Sequence, residues 1–378
     1  MVDFLFYGDT KRSAAMRHEL PIEIIDGFLL AIVDGRTHVM VNSLERERVA
    51  ATAPDAVLHD IEDLGLRELM ERGMSFHEID LELASRAAAE IGIRSAIADP
   101  EFPVAVADRL RADGITIQPD QRAIAALRRQ KSDAELAGIR RAQVAAEAGM
   151  GAAAALLADA RPDGDRVLAA GDLVTAESVR AVLRDACREH GAPAPPDVIV
   201  SSVRQGYGHD PGSGPLPPDL PIVIDLWPQD EESGCWADMT RTFVVGEVPA
   251  AVRDLEALVR DALERARAAV RPGITGRELH AMACDVFEAA GHRTQRTGPG
   301  DDANAGFQFS LGHGVGLEVH EGPALGMTGR EELVAGDVIA MEPGLWQPDI
   351  GEVRLEDLLL VTADGSETLT RYPYDLTP

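Results

Sequence analysis

Four carboxylates and one histidine stand inside or beside apolar, strand-like segments in the second half of this 378-residue chain. The segments are PIVIDLW, ADMTRTF, LGHGVGLEVHE, AMEPG and VRLEDLL, and the five side chains are Asp225, Asp238, His313, Glu342 and Glu356. Burying a lone charge in such a segment is costly, because its desolvation is not compensated. Convergence of the five side chains on cations would offset that cost. The set therefore predicts a dinuclear metal centre.

Asp225 and Asp238 bracket the short segment PQDEESGCW. Two strands joined by a hairpin can bring both carboxylates to one point, since residues opposite each other have Cβ atoms only ~5 Å apart. Two like charges at that distance are unstable without a cation. A simpler alternative places one carboxylate in the core and the other in solvent. Cys235 is an alternative ligand, although an oxygen-rich set favours hard ions over those that bind thiolates.

The other three candidate ligands lie in the C-terminal part of the chain. His313 stands in the glycine-dense turn GHGVG, where an ordinary hydrogen-bonded histidine is the simpler alternative. Glu342 precedes Pro343-Gly344 at the end of a predicted strand. Glu356 shares a strand face with Arg354, and an exposed pair of this kind contributes under ~1 kcal/mol. The leucines on both sides of Glu356 indicate that this pair is buried instead.

Such a ligand set suits hard or borderline divalent ions. Two ions held ~3.5–4 Å apart convert a water between them to hydroxide near neutral pH, and hydroxide can attack an amide carbonyl. The sequence therefore predicts a hydrolase.

Composition narrows the cellular context and the partners. The net charge of −28, from 64 acidic and 36 basic residues, argues against nucleic acid or an anionic membrane as a partner. The N-terminal segment lacks the basic and apolar regions of a signal peptide. Three scattered cysteines favour a reducing cytosol over a disulfide scaffold. We therefore expect a cytoplasmic protein.

The length favours two domains. Residues 1–127 show α/β patterning, with a predicted hairpin over 28–41 and helices over 75–92 and 102–114. Ser132 and Glu135 form a predicted capping box that opens a helix over about 132–158. Further helices are predicted up to Gly191 and over about 250–270 and 275–290. The Gly- and Pro-rich segment 204–221 is predicted to be loop, and strands and turns alternate in the tail.

The stretches DMTRTFVVG, GHGVGLEVHEGP, MEPG and RLED follow one another in this order. They resemble the metal-binding signature of the pita-bread metallopeptidases, the family of aminopeptidase P and prolidase. The segment LRRQKSDAELAGIRRA resembles the domain junction of that family. The resemblance is strong from about residue 128 and architectural before it. It implies a creatinase/prolidase-like α/β domain over 1–127 and an α+β pita-bread catalytic domain over 128–378.

The resemblance also implies a role for each residue. Asp225 would bind one metal ion through both oxygens, Asp238 and Glu356 would bridge the two ions, and His313 and Glu342 would complete the second site. Glu342 would also shuttle a proton. Catalysis would further use His209 to stabilise the tetrahedral intermediate, His320 to contact the substrate beside the scissile bond, and Arg354 to orient the bridging carboxylates.

The implied activity is cleavage of the amide bond before proline in dipeptides or short peptides. The resemblance implies two divalent ions per subunit, manganese first with cobalt or zinc as alternatives, and a homodimer. Trp227 departs from the family pattern, which has glycine there, and the 226–237 loop is longer than usual. These departures leave open a second reading, dinuclear-metal hydrolysis of another small amide. A non-catalytic pita-bread binding protein is a further alternative, although such proteins tend to lose metal ligands.

Overall fold

The chain divides into a unit that ends at Arg128 and a unit spanning Arg129–Pro378, each with its own clusters of buried apolar residues. The computed structural model describes residues 2–206 and 208–378. Tyr207, in the predicted loop over 204–221, lies outside the described residues. Across the described ranges, no helix combines the length and the apolar character that crossing a membrane would require.

The first unit is a six-stranded mixed sheet with helices. The sheet order is β4-β3-β2-β1-β5-β6, and β2 pairs antiparallel with both β1 and β3, whereas the β3–β4, β1–β5 and β5–β6 pairs are parallel. The elements are β1 Phe4–Gly8, α1 Ala14–Glu19, β2 Phe28–Val33, β3 Arg36–Val41, α2 Arg46–Thr52, β4 Val57–Asp60, α3 Leu66–Glu71, α4 Phe76–Ile91, β5 Ser95–Ala98, α5 Val104–Ala112, β6 Thr116–Pro119 and α6 Gln121–Leu127.

Local sequence signals mark the boundaries of several elements in this unit. The predicted hairpin is confirmed as β2–β3, whose two-residue turn places Asp34 and Gly35 at φ of 50° and 76°. Positive φ at both positions matches the right-handed strand twist. Helix α4 begins after a Ser75–Glu78 capping box and ends at Gly92, which takes the left-handed conformation.

The second unit packs two helix pairs, α7 with α8 and α9 with α10, against short antiparallel sheets. Its elements are α7 Asp133–Ala158, β7 Ala160–Asp163, β8 Arg166–Ala169, β9 Asp172–Leu173, α8 Ala176–Glu189, β10 Ile199–Ser201, β11 Ile222–Leu226, β12 Met239–Phe243, α9 Ala250–Ala269, α10 Gly276–Ala289, β13 Gly312–Gly314, β14 Glu321–Leu325, β15 Val338–Met341, β16 Gly344–Gln347, β17 Gly351–Arg354, β18 Asp357–Val361 and β19 Ser366–Thr368.

Two sheets of this unit carry the candidate site. They run in the orders β10-β11-β12 and β14-β13-β15-β18-β19. The long helix α7 begins at the predicted Ser132–Glu135 capping box. It approaches α8 closely at Gly149, where a Cβ would lie 2.6 Å from Cys187 Sγ. A glycine at this position therefore allows the close contact between the two helices.

The segment VRLEDLLLVT, residues 353–362, differs from the single strand that its sequence predicts. β17 pairs with β16 and β18 pairs with β15, and the chain leaves one sheet for the other at Leu355 and Glu356. At this break the Glu356 amide donates to the Thr240 carbonyl, 3.1 Å away. The break therefore ties Glu356 to the β12 strand.

Candidate metal centre

The β11–β12 hairpin brings the first two predicted ligands together. The strands pair antiparallel, with Asp225 opposite Thr240 and Leu226 opposite Met239, so Asp238 lies at the start of β12. Both carboxylates are buried, with Asp225 at 7% and Asp238 at 4% exposure. The alternative of one carboxylate in the core and one in solvent is therefore wrong.

The neighbouring five-stranded sheet supplies the other three side chains. His313 on β13 pairs with Ala340 of β15, and Glu342 follows the end of β15. The His313 Nε2 atom lies 3.6 Å from Asp238 Oδ2 and 3.7 Å from Glu342 Oε1. The Nδ1 atom lies 3.1 Å from the Gly314 carbonyl, to which it can donate. In that tautomer Nε2 presents its lone pair to the carboxylates, as a metal-ligating histidine does.

Three overlapping sets of side chains have ligand atoms within 4.8 Å of one another. One set holds Asp225, Asp238 and Glu356, a second holds His313, Glu342 and Glu356, and a third holds Asp238, His313 and His320. Asp238, Glu356 and His313 each belong to two sets. The five predicted ligands therefore lie in one cluster that contains more than one candidate ligand set.

Burial makes this cluster of charges costly on its own. Burial, followed by the Glu356 and Asp225 carboxylates, raises the pKa of Asp238 well above its usual range. Burial and then the Glu342 charge likewise raise the pKa of Glu356. Thr240 Oγ1 donates to Glu356 Oε2 at 2.7 Å, whereas the buried Oε1 atom has no hydrogen-bond partner among the described residues. A buried carboxylate oxygen without a hydrogen-bond partner is unusual. Its place in a cluster of carboxylates and imidazoles fits a site for hard divalent cations.

Arg354 lies among these carboxylates. Its Nη1 atom donates to Glu342 Oε2 at 3.2 Å, and Nη2 lies 3.2 Å from Asp225 Oδ2. Burial alone would lower the pKa of Arg354, but the surrounding carboxylates, Glu352 foremost, raise it above its ordinary value. The guanidinium therefore stays charged and fixes two of the predicted ligands.

A cavity of about 280 Å³ opens onto the cluster. It is lined by the five predicted ligands together with Arg354, His209, His320, Trp227 and Val319. The His320 ring meets the His313 ring edge to face, with centroids 4.2 Å apart. Burial, followed by the His313 charge, lowers the pKa of His320, which favours its neutral form. All the residues predicted to act in catalysis or metal binding thus line one cavity.

The sequence did not single out two residues that hold Glu356 in place. Thr240 bonds its carboxylate, and the buried Arg241 donates to its backbone carbonyl at 2.6 Å. Arg241 also donates to the Tyr372 and Pro373 carbonyls, both at 2.9 Å, and lies over the Tyr374 ring. Strand alternation after Asp238 offers a signal for Thr240, which lies two residues on and shares its face. The contacts of Arg241 with the distant tail have no signal in one sequence.

A buried ion pair supports the segment that bears His320. Lys131 Nζ contacts Glu321 Oε1, and the two side chains are only 2% and 3% exposed. Gly316 leaves space for the pair, since a Cβ there would lie 2.7 Å from Glu321 Oε1. The pair therefore links the start of α7 to the residue that follows His320.

Replacing Lys131 by methionine is expected to lower the free energy of unfolding by about 3–5 kcal/mol, because it leaves the buried Glu321 charge without its lysine. The double variant Lys131→Met, Glu321→Gln should recover most of that loss. Urea unfolding of the wild type and the three variants, including Glu321→Gln alone, measures the coupling. Additive losses in the double variant would contradict this role.

A comparison with known protein families identifies the class of protein to which the chain belongs. Residues 137–363 match the sequence profile of metallopeptidase family M24, which is more than half of the chain. The chain therefore belongs to metallopeptidase family M24.

Individual relatives refine the comparison. The chain is 39% identical over 155 residues to a Xaa-Pro dipeptidase of Pyrococcus furiosus, covering 41% of each protein. It is 33% identical over 181 residues to the uncharacterized peptidase YqhT of Bacillus subtilis, covering 47% of each. The matched segments thus span less than half of the length of these curated relatives.

Solved structures extend the likeness to the whole chain. A prolidase from Pyrococcus horikoshii superimposes with a TM-score of 0.74 at 23% identity, covering 100% of this chain and 95% of that one. An Xaa-Pro dipeptidase from Bacillus anthracis gives 0.77 at 22% identity, covering 99% and 94%. An X-Pro aminopeptidase from Thermotoga maritima gives 0.76 at 20%, covering 99% and 97%. These comparisons show the fold, and the predicted combination of an α/β unit with a pita-bread unit is confirmed.

Proposed function

We propose that this protein is a metal-dependent Xaa-Pro peptidase that hydrolyses the amide bond before proline in dipeptides or short peptides. The observation that carries the proposal is the cluster of four carboxylates and His313, in which the three candidate ligand sets overlap and one of them consists of the buried carboxylates Asp225, Asp238 and Glu356. Matches to Xaa-Pro dipeptidases support the substrate class.

The residues divide between two ions in this proposal. Asp225 would bind the first, His313 and Glu342 the second, and Asp238 and Glu356 would bridge them. A pair of divalent ions held here supplies a hydroxide for attack on the amide carbonyl near neutral pH. The metal would be manganese, with cobalt or zinc as alternatives, because oxygen and imidazole ligands suit these ions.

The protein groups around the ions would handle the substrate and the protons. Glu342 lines the cavity and would carry a proton from the nucleophile to the leaving amine, as a general base and then acid. His209 and His320 line the same cavity, where His209 would donate to the developing oxyanion and His320 would position the peptide beside the scissile bond. Arg354 would hold Asp225 and Glu342 in a fixed orientation.

Other features of the proposal rest on family resemblance and composition. The first 127 residues would be the creatinase-like domain and residues 128–378 the catalytic domain. The protein would act as a homodimer in the cytoplasm, where its three buried free cysteines would stay reduced. Its substrates would be proline-containing peptides rather than nucleic acids or membranes.

Release of free amino acid from Ala-Pro and from Ala-Pro-Ala, each with manganese and with chelator, tests the proposal. We expect manganese-dependent cleavage of at least one of the two peptides. The ratio of the two rates separates a dipeptidase from an aminopeptidase. Failure to cleave either peptide while two ions per chain remain bound would contradict the peptidase and favour the alternative of another small amide substrate. Failure to cleave without bound metal would favour a binding protein.

Replacing His320 by alanine is expected to lower kcat about 10²-fold while metal content stays at the wild-type value, because the ring acts on the substrate. Metal analysis of purified protein alongside kinetics on Ala-Pro checks the assignment. His320 also belongs to a candidate ligand set with Asp238 and His313. Loss of one ion from the variant would therefore make His320 a ligand instead.

A further inference from the structure

The cavity at the candidate metal centre combines the charged groups of the predicted ligands with a small apolar wall. Of the ten lining residues in the part of the chain that the structure describes, eight carry carboxyl, imidazole or guanidinium groups, and the other two are Trp227 and Val319. These two side chains offer an apolar group of a bound substrate a surface that carries no charge. Among the lining residues Trp227 offers the larger apolar surface, since a tryptophan buries roughly 150–250 Å².

The strand places the indole beside the ligands. Trp227 directly follows β11, two residues after Asp225, and both side chains line the cavity. The indole is half-buried and packs against the core between α7, α8 and the β10–β12 sheet. One part of its surface is therefore fixed by the core and another part faces the cavity.

The loop that follows Trp227 is held rigidly. Asp230 accepts two hydrogen bonds of 2.8 Å from Arg141 and further bonds from the amide and hydroxyl of Ser233. The Ala237 amide donates to the Pro228 carbonyl at 3.0 Å, and the Trp236 amide donates to Gly316 at 2.8 Å. These bonds close the loop at both ends, so Trp227 is preorganised rather than free to swing away.

We infer that Trp227, with Val319, forms the wall on which the proline ring of the substrate packs. This inference rests on the proposed peptidase function. The pyrrolidine ring is the one apolar group that every Xaa-Pro substrate shares, whereas the preceding side chain varies. A rigid aromatic face contributes binding at little cost in conformational entropy. The indole therefore binds the ring whatever residue precedes it.

Steady-state kinetics of Trp227→Ala on Gly-Pro and Leu-Pro, with manganese, test the inference. Losing this contact should raise KM about tenfold or more for both dipeptides, by the same factor. Since the ring contact is made in ground and transition states alike, kcat should change less than about twofold. Trp227→Phe keeps an aromatic face and should stay within about threefold of wild-type KM. Trp236→Phe, on the same loop but outside the cavity lining, is the matched control and should behave as wild type.

The outcomes separate this inference from the function on which it rests. Unchanged KM for both substrates in Trp227→Ala, with an active wild type, would overturn the inference and leave the peptidase standing. A rise in KM for Leu-Pro alone would also overturn it, because the indole would then contact the preceding side chain. An inactive wild type with bound metal would overturn the peptidase and this inference together. Metal content and melting temperature of Trp227→Phe show that its fold and centre are intact.

Discussion

Replacing Asp238 by asparagine is expected to abolish manganese-dependent hydrolysis and, in the metal-free protein, to raise the melting temperature. The loss of activity should be roughly 10³-fold or more, equivalent to an activation barrier about 4 kcal/mol higher, because the proposed bridging ligand is lost. The gain in stability has a separate cause. Burial, followed by the neighbouring carboxylates, raises the pKa of Asp238, so its ionised form is disfavoured in the folded protein relative to the unfolded chain. That penalty is present above the unfolded pKa, hence at neutral pH, and the neutral amide removes it.

Asp230→Asn provides a matched control with the opposite sign. Burial alone would raise the pKa of Asp230, but hydrogen bonds from Arg141 and Ser233 outweigh it and lower the pKa. Its charge therefore stabilises the fold above the unfolded pKa, and that contribution is lost as pH falls through the folded pKa. At neutral pH the melting temperature of Asp230→Asn should fall. Thermal melts of both variants in chelator give the comparison. Wild-type activity in Asp238→Asn would contradict the proposal that Asp238 bridges two metal ions.

Adding manganese to chelated wild-type protein is expected to raise the melting temperature on the order of 10 °C. Ligand at 100–1,000 times its dissociation constant stabilises by about 3–4 kcal/mol, and about 1 kcal/mol shifts a unit of 150–250 residues by roughly 2–4 °C. The site supports an effect of this size because Asp225, Asp238 and Glu356 are all buried, at 7%, 4% and 1% exposure. Cations would remove the mutual repulsion of these groups.

Glu356→Gln is the control for that measurement. Its amide oxygen can still accept the hydrogen bond from Thr240, so the variant changes the charge with little change in packing. The melting temperature of this variant should respond to manganese by a small fraction of the wild-type shift. An equal shift in both proteins would place the metal elsewhere. No shift in either would favour the non-catalytic binding protein.

Local chemistry made much of the fold predictable. The Asp34-Gly35 turn, the capping boxes at Ser75 and Ser132, and the stop at Gly92 each depend on neighbours within a few residues. The candidate ligands could be predicted for a different reason. A carboxylate such as Asp225 or Glu356 is unexpected within an apolar segment that is predicted to be buried. Such a departure from the local pattern indicates a functional site.

Contacts between distant segments escaped prediction. The predicted strand over 353–362 is divided between two sheets because Glu356 bonds to Thr240, more than a hundred residues earlier. Glu352, whose pKa burial raises and which lies 3.6 Å from Arg354, was not distinguished from a surface glutamate. The small sheet β7–β9 was also missed, because its strands are short and mostly exposed. In each case the decisive partner is set by topology rather than by sequence neighbours.

Arg241 gives the C-terminal tail a thermodynamic connection to the centre. One guanidinium, 1% exposed, bonds both the Glu356 carbonyl and the carbonyls of Tyr372 and Pro373. An interaction that orders Glu356 should also order the Tyr372–Pro373 tail through Arg241. Such coupling between two sites is reciprocal. Cations that fix Glu356 should therefore slow amide exchange in the tail, and a loosened tail should weaken cation affinity by the same factor. Tail residues that do not line the cavity should therefore contribute to cation affinity through Arg241.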